Sequence, residues 1–176
     1  MVDFRSKLTG VPLVLFVSVV AIGLAGCATE KPAPAPTPPV AIVSTYEIAT
    51  ANRDDVGASL LRDGRVVLRG IVFATDSADL SGGSYAAAGN IAGVLNQYPQ
   101  LKLAVVGHTD NTGDYNYNID LSGRRAQAIV DAIVNDYDVE PTRLAAVGVG
   151  PLAPINTNRT EYGRSQNRRV ELVLIE

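Results

Sequence analysis

The residues able to do chemistry gather in three short stretches of this 176-residue chain. They are Gly107-His108-Thr109-Asp110, then Asn118 with Leu121-Ser122 and Arg125, then Asn167-Arg168-Arg169. Each stretch stands where a predicted element meets a loop. Arg125 is the oddest of them physically. Ser122 is a good helix cap, which puts Arg125 in the first turn of a helix, where the macrodipole disfavours a cation. Arg125 also lies four residues before Ile129, so it borders the apolar stripe of that helix. A cation there needs an anion, and the planar guanidinium takes a carboxylate through two parallel hydrogen bonds. Asp110, at the end of a neighbouring predicted strand, supplies one. In the plain reading the two form a structural ion pair, which is common. In the functional reading they form a split clamp, with an ammonium on Asp110 and a carboxylate on Arg125. Together they would read the two ends of one zwitterionic amino-acid centre. Residue chemistry alone leaves both readings open and leans to the ion pair.

Catalysis is the weaker expectation. His108 is the only histidine and Cys27 the only cysteine. A zinc site needs clustered ligands, so no metal and no cofactor is expected. No Gly-x-Ser-x-Gly nucleophile motif is present, and His108 lacks the partners of a general base. Asp110, Asp114 and Asp120 fall within one polar stretch near Arg125, which suits solvated or ion-paired carboxylates better than a glycosidase pair. Net charge is −3 and there is no basic stripe, which argues against a nucleic-acid partner.

The elements that must position these residues alternate in type. Residues 81–97 have helical spacing, with Tyr85, Ala88, Ala92 and Leu95 on one face and Ile91 and Val94 beside it. Residues 102–107 read as a strand. Ala126, Ile129, Val130, Ile133, Val134 and Tyr137 form the i, i+3, i+4, i+7 stripe of a second helix. Residues 143–148 and 169–175 read as strands, and 158–166 as a loop with a helical turn. Upstream, Asp63-Gly64 between 55–62 and 65–73 is a two-residue turn signal and predicts a hairpin. Residues 44–52 read as irregular or as an edge strand. The alternation implies an α+β fold with helices packed on a sheet.

The N-terminal stretch reads as an address. Arg5 and Lys7 precede an apolar run from Pro12 to Ala25 that is short for a spanning helix, which matches a secretory signal peptide. Leu24-Ala25-Gly26-Cys27 resembles the bacterial lipobox, in which the cysteine is acylated and becomes the mature N-terminus. The small residues let a peptidase approach, and several acyl chains anchor stably where one holds only marginally. Residue 28 is Ala, which by the same resemblance routes the protein to the outer membrane. Alternating prolines within residues 30–40 favour a stiff polyproline spacer of about 30 Å. The expected organisation is a signal peptide at 1–26, acylated Cys27 with a Pro-rich linker at 27–40, an N-terminal extension with the hairpin at 41–64, and one domain at 65–176. A membrane barrel finds no room between Cys27 and that domain.

Three ordered motifs carry a family resemblance: residues 107–113 (GHTDNTG), residues 118–126 (NIDLSGRRA) and residues 167–171 (NRRVE). They closely resemble the OmpA-like peptidoglycan-binding domain family, shared by OmpA C-terminal domains, the peptidoglycan-associated lipoprotein and flagellar stator proteins. Phe73, Asp76 and Leu80 resemble its opening strand-to-helix motif. The resemblance spans about residues 65–176. It implies a β/α/β/α/β sandwich with a mixed sheet and helices on one face. It also implies non-covalent binding of the diaminopimelate of uncrosslinked stem peptides, with no enzymatic cutting. By motif position, Asp110 and Arg125 hold the ammonium and carboxylate, Asn118 and Arg168 support them, and Thr109 and Asp76 stand at the rim. His108 becomes a structural residue that ties its loop by hydrogen bonds. Two positions depart from the pattern: Ala74 stands where Asp is common, and Pro151 replaces a Glu. The partners implied are peptidoglycan and, through acylated Cys27, outer-membrane lipid. The domain thus faces the periplasm as an outer-membrane tether. The alternative is an envelope protein-interaction module, with residues 41–64 as its variable surface.

Overall fold

The computed structural model describes residues 44–175, apart from Ala49, Val72, Thr75 and Asp76. The expected signal segment 1–26, Cys27, the linker 27–40 and the candidate rim residue Asp76 therefore lie outside the described residues. The elements run β1 (Thr45–Glu47), α1 (Arg53–Asp63), β2 (Arg65–Arg69), α2 (Gly82–Gln97), β3 (Leu103–His108) and α3 (Tyr115–Tyr137). A 3-10 turn (Pro141–Arg143), β4 (Leu144–Gly150), α4 (Glu161–Asn167) and β5 (Val170–Leu174) follow.

The five strands form one mixed sheet in the order β1-β2-β5-β3-β4. Strands β1 and β2 are parallel, as are β3 and β4, while β5 runs antiparallel to both β2 and β3. Val66, Leu172 and Val105 stand opposite one another across β2, β5 and β3. These side chains, with Leu68, Leu103 and Val170, bury into one core with Val56 and Leu60 of α1, Ile91 and Leu95 of α2, and Ile129 and Ile133 of α3. The α+β expectation, with a mixed sheet and helices on one face, describes this architecture.

The hairpin expected of 55–62 and 65–73 about Asp63-Gly64 is not what forms. Residues Arg53–Asp63 are helix α1, and Gly64 is its left-handed C-terminal residue at φ 72°, donating its N–H to the Leu60 carbonyl. A glycine at positive φ serves a tight hairpin turn and a helix C-terminus equally well, so Asp63-Gly64 does not discriminate. The surrounding residues do. Asn52 caps the helix by accepting from the Asp54 N–H at 2.8 Å, and Val56 and Leu60 are buried at i, i+4 spacing. Residues 44–52, ambiguous in the sequence, supply edge strand β1.

Two further boundaries differ. The stretch around Asn158–Gln166 contains a true helix, α4, capped by Thr160 accepting from the Gly163 N–H. Helix α3 starts at Tyr115 rather than near Ser122, because Asp114 caps it by accepting from the Tyr117 N–H at 2.8 Å. In α2, Tyr85 is 47% exposed rather than part of the buried face.

Candidate functional site

Chain topology brings the three polar stretches together. Strand β5 enters the sheet between β2 and β3 and runs antiparallel to β3, pairing Gly107 with Val170. The exit of β3 therefore lies beside the entrance of β5, and residues 108–110 meet residues 168–169. Helix α3 then crosses back over β3 and β4 in backbone contact. A Cβ on Gly107 would lie 2.3 Å from the Ser122 carbonyl oxygen, and one on Gly148 would lie 2.3 Å from the Gly123 nitrogen. Only glycine permits that approach. Ser122 locks the contact by accepting the Gly150 N–H at 2.9 Å and donating to the Ile119 carbonyl at 2.8 Å. Its role is this tie, and not the helix cap expected from sequence.

Asp110 leaves the end of β3 nearly buried, at 8% exposure. Its Oδ1 accepts the Thr112 N–H at 2.9 Å, a local turn that fixes the carboxylate plane. Its Oδ2 accepts from Arg168 Nη1 at 2.6 Å. Burial pushes this carboxyl up, but the hydrogen bonds from Arg168 and Thr112 outweigh it and hold Asp110 below the usual carboxylate range. Asn118 is buried in the first turn of α3 and donates to the Thr112 carbonyl at 2.8 Å, pinning the Asp110 loop to the helix. Thr109 is buried and donates its hydroxyl to the Asp110 carbonyl at 2.9 Å.

Arg125 sits in the third turn of α3, not the first, because the helix begins earlier. The macrodipole argument therefore does not apply to it. Its Nε donates to the Ser77 carbonyl at 2.9 Å and its Nη2 to the Ala74 carbonyl at 3.3 Å. The guanidinium carbon stands 5.0 Å from the centre of the Phe73 ring, a cation–π distance. The simple Asp110–Arg125 pair is replaced by a different arrangement, in which Asp110 pairs with Arg168. Arg168, at the C-terminus of α4, also donates from Nη2 to Glu161 at 2.6 Å. Glu161 in turn takes Arg164 at 2.7 Å.

Asp110, Thr109, Asn118, Arg125 and Arg168 all line one groove of about 550 Å³, with Phe73, Leu121 and Ile71 supplying apolar wall. Two groups lining it were not singled out from sequence. Thr112 orients Asp110, and Glu161 holds Arg168. No sequence signal marks Glu161, because its stretch reads as a loop with a single helical turn. The groove presents guanidinium groups and carboxylates together, which suits a ligand carrying both charges.

His108 also lines the groove, at 6% exposure, but does not tie its loop through its ring. Neither ring nitrogen has a hydrogen-bond partner among the described residues. Nε2 lies 3.5 Å from the Glu171 carboxylate. The loop is held by backbone instead: the His108 N–H donates to the Arg169 carbonyl and the Thr109 N–H to Gly150. Burial first, then the positive charge of Arg169, hold the imidazole down at about 4 against the opposing pull of Glu171. It is neutral at physiological pH. Arg169 bonds Glu171 through Nε at 2.8 Å, while its Nη2 reaches the Ala153 carbonyl at 3.0 Å.

With this geometry established, comparison with known proteins is specific. The sequence profile described as the OmpA family matches residues 72–168. The chain is 45% identical over 101 residues to the outer membrane porin F of Pseudomonas aeruginosa, covering 57% of this chain and 29% of that protein. It is 38% identical over 104 residues to the peptidoglycan-binding protein ArfA of Mycobacterium tuberculosis, covering 59% of this chain and 32% of that protein. It thus spans about a third of the length of these curated relatives. Among solved structures, the peptidoglycan-associated lipoprotein of Burkholderia pseudomallei superposes with a TM-score of 0.54 at 30% identity, covering 59% of this chain and 87% of that one.

Proposed function

The chain belongs to the OmpA family, and from that premise we propose that its domain binds peptidoglycan without cleaving it. The ligand group is the free amino-acid centre of an uncrosslinked diaminopimelate in the stem peptide. Asp110 takes its ammonium and Arg125 its carboxylate, with Asn118 and Arg168 supporting and Thr109 and Asp76 as looser contributors. The observation that carries this reading is the gathering of Asp110 and Arg125, from separate parts of the chain, in one groove with the other described candidates. The binding groups are presented rigidly. Asp110 is fixed by Thr112, and Arg125 is fixed by two backbone carbonyls and the Phe73 ring. Little side-chain freedom remains to be lost on binding. The names of ArfA and of the lipoprotein from B. pseudomallei support the ligand class.

Acylated Cys27 anchors the chain in the outer membrane, the Pro-rich segment 27–40 spaces the domain off it, and the domain tethers that membrane to the wall from the periplasmic side. Residues 1–26 are the signal segment. Within the extension 41–64, strand β1 and helix α1 belong to the folded body, with Ile48, Val56 and Leu60 in its core. The test is co-sedimentation with purified peptidoglycan. Asp110→Ala and Arg125→Ala each abolish sedimentation while circular dichroism stays native. Undiminished sedimentation of both variants overturns the clamp. Cys27→Ala releases the protein from membranes, and a membrane-retained variant refutes the lipid anchor.

A further inference from the structure

One guanidinium in the groove serves two carboxylates of opposite exposure. Arg168 Nη1 lies 2.6 Å from Asp110 Oδ2, and its Nη2 lies 2.6 Å from Glu161 Oε1. The Asp110 side chain is 10% exposed and that of Glu161 is 64% exposed. Resting on the reading that Asp110 seats a ligand ammonium, this creates a conflict. Asp110 already holds a cation on Oδ2 and an N–H on Oδ1. A carboxylate offers about four acceptor positions, so geometry leaves room for a second donor. Charge does not leave the same room, because two cations on one carboxylate repel.

Glu161 resolves the conflict. It gives Arg168 a second anion on the outer side, so Arg168 can loosen its hold on Asp110 without losing its counter-ion. Arg164 braces Glu161 from the far side, through Nε at 3.0 Å and a second guanidinium nitrogen at 2.7 Å. The three groups Asp110, Arg168 and Glu161 therefore form a relay of charge from buried to exposed, with the groove at its inner end. We propose that Glu161 is a positioning residue, which draws Arg168 outward and so makes the Asp110 seat selective for ligands bearing a primary ammonium. Glu161 acts on the ligand only through Arg168.

That indirect action distinguishes the inference from a merely structural Glu161. The experiment uses the full chain in detergent micelles and measures its co-sedimentation with purified peptidoglycan. The variants are Glu161→Gln, Arg168→Gln, the two combined, and Asp110→Asn. Glu161→Gln is expected to weaken binding roughly two- to fivefold, in the range of an exposed ion pair. In the Arg168→Gln background the same change is expected to have no further effect, since no guanidinium remains to be drawn away. Peptidoglycan whose free amines have been acetylated is expected to bind Glu161→Gln and the wild type alike. An equal loss from Glu161→Gln in both backgrounds, or no loss in the wild-type background, overturns the inference. Full sedimentation of Asp110→Asn overturns the seat itself and with it the proposed function. Loss in Asp110→Asn with an unaffected Glu161→Gln removes the relay alone.

Discussion

Replacing Gly148 by alanine tests the contact that positions the site. The added Cβ would lie 2.3 Å from the Gly123 nitrogen, 2.6 Å from its Cα and 2.7 Å from the Ile119 carbonyl oxygen. All three are backbone atoms, so no side chain can rotate out of the way. Comfortable contact between such atoms needs about 3.5 Å, so α3 must retreat from β4 by roughly 1 Å. Close-packed interiors resist such shifts, and overpacking typically costs ~1–3 kcal/mol. With helix and strand backbones opposed, the upper end, about 3 kcal/mol, is expected. For a domain of this size that lowers Tm by roughly 10 °C. The assay is thermal unfolding of the full chain followed by circular dichroism. Gly83→Ala is the control, because a Cβ there meets nothing within 4 Å. It should leave Tm unchanged or raise it slightly, alanine being favoured over glycine in a helix by about 0.5–1 kcal/mol. Asn118 and Arg125 ride on α3, so Gly148→Ala should also weaken peptidoglycan sedimentation. A Tm for Gly148→Ala within about 2 °C of wild type would refute the claim that backbone contact sets the helix position.

Three other outcomes follow from the same structure. His108 sits at about 4 in the folded protein against an ordinary 6.5, facing Arg169, Glu171 and Arg65. The unfolded chain takes up that proton first as pH falls, so this contribution to stability is complete above 6.5 and lost on acidification toward about 4. Urea unfolding should show roughly 2 kcal/mol lost between about pH 7 and 5, and His108→Gln should remove that slope; an unaltered slope in the variant contradicts it. Asn167 is fully buried and accepts the N–H groups of Ile155 and Asn156 while donating to the Asn156 carbonyl and Asn158 Oδ1. Asn167→Ala should cost about 2–4 kcal/mol, and hydrogen exchange should show Ile155 and Asn156 amides losing protection; retained protection would speak against the tie. Gly64→Ala forces a side chain to φ 72° at the end of α1 and should cost about 1–2 kcal/mol, read as a lowered urea midpoint; an unmoved midpoint would mean the turn relaxes freely.

Much was legible before any coordinates. The α3 stripe from Ala126 to Val134 packs as its spacing indicates, with Tyr137 at the edge. The three polar stretches do converge, and Thr109, Asp110, Asn118, Arg125 and Arg168 do share a groove. Local signals failed where one residue serves two geometries. Gly64 suits a hairpin and a helix end alike, and Ser122 looks like a cap although Asp114 fills that role.

Sequence by itself determined the α+β class, the alternation of elements and the positions of the charged groups, because hydrophobic period and motif spacing are local properties of the chain. Tertiary structure alone decided which charges meet. Asp110 and Arg168 are 58 residues apart, and Arg125 reaches a carbonyl 48 residues away. Those partners follow from β5 entering between β2 and β3 and from α3 lying against Gly107 and Gly148. A guanidinium pairs with whichever anion or carbonyl packing brings within about 3 Å, and no local pattern encodes that distance.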